Sequence, residues 1–187
     1  MSRRLEPLAP PYEESTEDAL RRLMGGVDAE PLALFRTIAH HDALLDRFRS
    51  TGSTLLSFGR LAPDERETLI QRTTARCGAA YEWGVHASVV APQLGLGEDW
   101  LRATWSGDAS DAAFTERQRL LVRLADELHD DGAVSDELWA EVEARWSADE
   151  LVEAVCVCGF YHLVSFVCGA FAVEPEPWAA AAPAGAR

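Results

Sequence analysis

Glu82 and His86 stand four residues apart in Tyr81-Glu-Trp-Gly-Val-His86. On a helix that spacing puts the two side chains on one face, a turn apart, where they can share a hydrogen bond. A carboxylate beside an imidazole raises its pKa and orients its ring, while partial burial works against both charges. The pair is therefore able to exchange protons near neutral pH. Tyr81, Trp83, Val85 and Val89 surround it with apolar bulk, which predicts a buried helix and a polar pair held there for chemistry. Glu67 lies 15 residues before Glu82, about 22 Å along one straight helix. A break at Cys77-Gly78 would fold the two helices into a hairpin and carry Glu67 toward His86. In this reading His86 is the general acid or base, Glu82 orients it and tunes its pKa, and Glu67 completes the relay. Arg76 or Arg72 would pair a substrate carboxylate. Tyr81, Trp83 and Cys77 are the expected neighbours of the substrate. Tyr161 and His162 would line the pocket opposite His86, although a buried histidine donating to a backbone carbonyl explains His162 equally well.

Other chemistries find little support. All 17 basic side chains are arginine, so a Schiff-base lysine, a pyridoxal phosphate anchor and a Walker-type phosphate loop are excluded. No Gly-x-Gly-x-x-Gly fingerprint marks a dinucleotide site, and no repeated Glu-x-x-His motif marks a di-metal bundle. No cofactor and no metal are expected. The four cysteines, Cys77, Cys156, Cys158 and Cys168, form neither a disulfide framework nor a zinc knuckle, and read as packing residues of a reducing cytoplasm. Cys77, next to the helix break, could sit at a helix N-terminus where a thiolate is favoured; a redox role and a packing role both remain open for it. His40, His41 and His129 read as surface or capping residues.

With 31 acidic against 17 basic residues the net charge is −14, and no basic patch offsets it. A partner nucleic acid or an anionic membrane is not expected. The 187 residues, 48% apolar, suit one domain. Residues 1–14 are Pro-rich and read as a tail or arm without the apolar run of a signal peptide; residues 174–187 read as a second tail. Between them, residues 15–173 show helical periodicity and no strand alternation, predicting an all-α domain. Ser15-x-x-Asp18 opens a helix that stops at Gly25-Gly26. Pro31 starts one running through Phe48 until Gly52, and Pro63 starts one reaching about Arg76. A further helix spans Tyr81–Val90. Ser110 or Asp111 caps a helix carrying Leu120, Leu121, Leu124 and Leu128, and Ser135 caps another. Ser147-Ala-Asp-Glu150 is a capping box before a long apolar helix. Residues 154–173 are long enough to span a membrane, but acids flank both ends and His162 falls in the middle, so a helix buried all round, in a core or a subunit interface, is expected.

Glu67, eleven residues, Ala79, two residues, Glu82, three residues and His86 falls in register with Glu-x11-Cys-x2-Cys-x3-His. In this it resembles the alkyl hydroperoxidase D branch of the carboxymuconolactone decarboxylase-like superfamily, with Ala79 and Glu82 where that branch has its two redox cysteines. The resemblance covers about residues 30–173. It implies an all-α helical bundle, closed homo-oligomers of two, three or six chains, and a small-molecule substrate. Without the vicinal thiols, what remains is similar to the decarboxylase branch, which implies cofactor-free acid and base work on a small carboxylated lactone or enolisable compound. Peroxide reduction through Cys77 and non-catalytic binding of a small ligand are the alternatives.

Overall fold

In the computed structural model, which describes residues 4–25, 27 and 29–183, the chain is helical, with no strand among those residues. In chain order the helices are α1 (Glu14–Leu23), α2 (Ala33–Ile38), α3 (Asp42–Ser57), α4 (Pro63–Arg76) and α5 (Ala80–Val89). A 3-10 turn (Ala91–Leu94) leads to α6 (Glu98–Ser106), α7 (Glu116–Asp130), α8 (Asp136–Glu143) and α9 (Ala148–Phe171). Residues 1–3 and 184–187 of the expected tails, and Gly26 of the expected Gly25-Gly26 stop, lie outside the described residues.

The organising element is α4. Pro63 fits its first turn, where the missing N–H costs nothing, and Asp64 and Glu65 complement the positive end of the helix dipole. It packs against α5, α6, α7 and α9, so its polar side chains are buried and must find partners inside the protein. Glu65 pairs with Arg117 of α7 and accepts from the Trp146 indole at 3.0 Å. Arg72 makes a two-pronged contact with Asp126 of α7, at 2.6 and 2.8 Å, and also donates to the carbonyls of Thr104 and Gly107. Around these pairs the core closes with Leu45, Leu69, Leu121, Leu124, Leu138 and Val157, all essentially inaccessible, each contributing about 1.5–3 kcal/mol by burial.

Gly78 ends α4 with a left-handed φ of 64°. Its N–H reaches the carbonyl of Ala75 and that of Ala79 reaches Thr74, a Schellman closure that only glycine adopts without strain. The chain reverses and α5 lies back against α4. Cys77 is therefore the C-cap of α4. The expectation that it sits at a helix N-terminus is corrected: the carbonyl end of the dipole disfavours a thiolate there.

The long apolar helix α9 packs against α3, α4, α5, α7 and α8. It buries Leu151, Ala154, Val157, Cys158, Tyr161, Val164 and Cys168. The expectation of burial all round is corrected within the chain, because the opposite face exposes Val152, Val155, Leu163 and Phe166. Uniform apolarity removes the stripe that would have told one face from the other.

Three boundaries also differ. The helix expected from Pro31 to Phe48 is two helices, broken at residues 39–41, and His41 caps the second by accepting from the Leu44 N–H at 3.2 Å. Gly52 does not interrupt α3; it gives room to the Phe160 ring, whose edge an added Cβ would meet at 3.3 Å. Thr115 rather than Ser110 or Asp111 caps α7, through a reciprocal capping box with Gln118, while Asp108 and Asp111 accept from backbone N–H groups two residues on. Helix α6, unmarked in the sequence reading, packs Trp100 and Ala103 on Phe114 and Val122. The described part of the N-terminal segment bonds to the fold through Arg4 and Leu8, to Phe171 and Arg36. The C-terminal segment runs along α5: Glu176 accepts from Tyr81 and the Ala33 N–H, and Ala180 N–H donates to Ser88. Gly84 permits that course, since a Cβ there would meet the Ala180 carbonyl oxygen at 2.2 Å.

Candidate active site

The hairpin of α4 and α5 brings Glu67, Glu82 and His86 together. Both oxygens of Glu67 approach His86 Nδ1, at 2.9 and 3.1 Å. On the other side of the ring Nε2 faces the Tyr161 hydroxyl at 3.1 Å and Glu82 Oε1 at 3.5 Å. Glu67, Glu82, His86 and Tyr161 are each less than a tenth exposed. The partition differs from the expected one: Glu67 orients the ring, and Glu82 stands on the side where the ring meets the cavity.

Burial opposes a charge on His86, yet the two carboxylates, Glu67 foremost, outweigh it and hold the pKa up at about 10. The ring is thus an imidazolium at neutral pH, with Nδ1–H donating to Glu67 and Nε2–H pointing at Tyr161 and Glu82. Burial and the neighbouring carboxylates push the Tyr161 phenol well above its ordinary range. It remains a hydroxyl, accepting from His86 with its oxygen and free to donate its own hydrogen.

Glu82, His86 and Tyr161 form one end of a cavity of about 280 Å³. That volume lies just below the ~300–1,000 Å³ usual for ligand pockets. Its walls are mostly apolar, from Leu34, Phe35, Phe48, Leu56, Phe160 and Val164, and two arginines, Arg22 and Arg49, also line it. Two buried polar atoms here have no protein partner: Glu82 Oε2 and Arg49 Nε. Such orphans are costly unless something binds them.

The other residues expected beside a substrate do not line this cavity, and each has a physical reason. Tyr81 accepts from the Leu34 N–H and donates to Glu176, anchoring the C-terminal segment. Trp83 donates to Thr104 at 3.2 Å and packs on Trp105. Arg76 is paired with Asp130 and Asp126, and all the Arg72 contacts are internal, so neither is available to a substrate carboxylate. Cys77 and His162 lie with His129 in a separate cluster, where His162 Nδ1 donates to the Cys158 carbonyl at 2.8 Å. Tyr161 alone of that group faces the cavity. Arg22, Arg49 and Phe160 escaped the sequence reading, because α1, α3 and α9 meet here through the fold with no motif linking them.

No protein-family model matches the chain, and no curated protein matches it in sequence. Solved structures match it in fold. An uncharacterized peroxidase-related protein from Silicibacter sp. TM1040 superposes with a TM-score of 0.80 at 16% identity, over 94% of this chain and 92% of that one. The alkylhydroperoxidase AhpD core of a peroxidase-related protein from Ralstonia eutropha JMP134 gives 0.75 at 17% identity, over 90% and 92%. The debrominase Bmp8, solved in complex with 2,3,4-tribromopyrrole, gives 0.75 at 14% identity, over 95% and 94%. The chain shares the all-helical fold of these AhpD-like structures.

Proposed function

We propose that the protein is an acid–base enzyme, a lyase or isomerase, that moves a proton on a small carboxylated or enolisable substrate. The observation that carries this reading is the buried chain Glu67, His86, Tyr161 ending beside the unpartnered Glu82 Oε2 at one end of an apolar cavity. Arg49, whose Nη2 pairs with Asp46 at 3.1 Å while its Nε has no protein partner, offers that Nε–H to the substrate's anion, in the role first expected of Arg76. The debrominase of the same fold holds a small substituted ring, a ligand of a size that suits this cavity.

In an isomerisation, Glu82 takes a proton from the carbon next to a carbonyl, and the electron pair moves to the oxygen as an enolate. The Tyr161 hydroxyl and the imidazolium stabilise that oxyanion, and the proton returns at another carbon. In a decarboxylation, the carbon–carbon bond electrons form the same enolate as carbon dioxide leaves, and His86 supplies the proton to carbon. Glu67 touches no substrate in either case; it positions the imidazole. The peroxide-reducing alternative draws less support, since burial pushes the Cys77 thiol up and the side chain lies off the cavity.

The test is a paired assay of carbon dioxide release from 4-carboxymuconolactone and reductant-dependent hydroperoxide loss. Decarboxylation should fall ~10²–10⁴-fold in His86→Gln, rise in KM with little change in kcat for Arg49→Gln, and persist in Cys77→Ser. Hydroperoxide loss that disappears in Cys77→Ser would move the chemistry to the thiol and overturn the assignment.

A further inference from the structure

Beside His86, where α4 and α7 meet α9, lies a second cluster that the proposed reaction does not use. Cys77 at the C-cap of α4, His129 in the last turn of α7 and His162 in the middle of α9 present Sγ and two ring nitrogens within 4.8 Å of one another. His129 Nδ1 stands 3.0 Å from His162 Nε2 and 3.8 Å from Cys77 Sγ. Zinc held tetrahedrally at ~2.0 Å from nitrogen and ~2.3 Å from sulfur needs those spacings to be about 3.3 and about 3.5 Å. Two of the three spacings thus lie within a few tenths of an ångström of that geometry, and the third, between Cys77 Sγ and His162, is within 4.8 Å.

We propose that Cys77, His129 and His162 bind a single zinc-type divalent cation, with a fourth position open to solvent or an anion.

Three further observations support it. First, His162 Nδ1 donates to the Cys158 carbonyl at 2.8 Å. That bond leaves Nε2 as the lone-pair nitrogen turned toward the cluster, the arrangement by which metal-binding histidines are oriented. Second, His129 Nδ1 already stands between the other two donors, within reach of both His162 Nε2 and Cys77 Sγ, so one ring nitrogen is shared by the whole cluster. Third, the nearest cation, Arg76, is paired with Asp130 and with Asp126, so a dication does not meet an uncompensated guanidinium. The remaining neighbours are Ser165, which bonds the Cys77 thiol, and the buried Cys158 thiol. The donor set of one sulfur and two imidazoles suits zinc and its cobalt substitute better than magnesium or calcium. Binding exchanges the Cys77 thiol proton for the metal, releasing one proton per ion, and His129, whose Nδ1–H donates to His162 Nε2 in the metal-free protein, moves that proton to its Nε2 so that the Nδ1 lone pair can ligate. The ion would tie the ends of α4 and α7 to the middle of α9.

Chelator-stripped full-length protein titrated with cobalt(II), then with zinc in competition, tests this. The expected result is one ion per chain, thiolate-to-cobalt charge-transfer absorption that disappears in Cys77→Ser, and zinc affinity weakened at least ~100-fold in His129→Gln. Glu82→Gln, in the other cluster, should leave the binding unchanged. A cobalt spectrum of the wild-type protein without thiolate character overturns the proposal without reference to any variant's folding. Zinc binding that survives Cys77→Ser combined with His129→Gln does the same, and would place the ion on the His40-His41 pair or the acidic surface.

Discussion

Tyr161 and His162 are neighbours on α9, yet they serve two clusters of opposite character. Tyr161 turns inward to His86, where two carboxylates outweigh complete burial and hold an imidazole in its charged form. His162 turns toward His129 and Cys77, and there burial, the His162 ring and Arg76 depress the pKa of His129. The same residue type is thus pushed up in one cluster and down in the other. The difference is which charges the fold brings within reach. A charged imidazole can donate protons and cannot bind metal; a neutral one with an oriented lone pair can bind metal.

The largest break in this comparison comes from Glu67→Gln. Removing that carboxylate leaves the buried imidazolium with Glu82 as its only nearby anion, which should cost about 3–5 kcal/mol of stability and return His86 toward its ordinary pKa. His162→Gln, which loses the hydrogen bonds to the Cys158 carbonyl and to His129 at a half-buried place, should cost less, about 0.5–1.5 kcal/mol for each bond lost. Denaturant unfolding of both variants measures the contrast. Equal losses would mean that the Glu67–His86 pair is not a buried ion pair.

The response to alkali sharpens the same point. The pKa of His86 is about 10 in the folded protein against 6.5 ordinarily, so below pH 6.5 both states hold the proton and its stabilising effect is complete. Between these values the folded state keeps a proton that the unfolded chain has lost, and stability must fall as pH rises. The wild-type Tm should therefore decline from pH 6.5 toward about 10, and His86→Gln should flatten the decline. An equally steep decline in the variant would assign it to other groups.

Much of the first cluster could be read from sequence because it is local. Pro63, the Gly78 break and the four-residue step from Glu82 to His86 encode a helical hairpin, and a hairpin is enough to bring Glu67 to His86. The roles within it were less legible. A helical step of four residues suggested that Glu82 orients the ring, whereas the turn geometry gives Nδ1 to Glu67 and leaves Glu82 on the cavity side. The second cluster was not legible as a cluster. Its members lie 33 and 52 residues from one another along the chain, and no spacing rule joins three helices that far apart. His129, read alone, looked like a surface residue of α7. On α9 the uniform apolarity hid which face is inward, so Tyr161 and His162 were assigned together although successive residues of a helix point about 100° apart. The break at residues 39–41 had no proline or glycine to announce it.

The smallest effect comes from the acid side of the second cluster. Because its folded pKa is depressed below 6.5, His129 stays neutral in the folded protein while the unfolded chain takes up a proton, so its presence costs stability as pH falls below 6.5. Burial is the leading cause, His162 and Arg76 add to it, and Asp130 and Asp126 oppose it, so the loss is modest. In chelator-treated protein, the Tm difference between wild type and His129→Gln should shift in favour of the variant from neutral to mildly acidic pH. A constant difference would show that His129 titrates alike in both states. The two clusters would then differ in chemistry but not in the sign of their protonation, and the contrast between them would rest on the carboxylates around His86 alone.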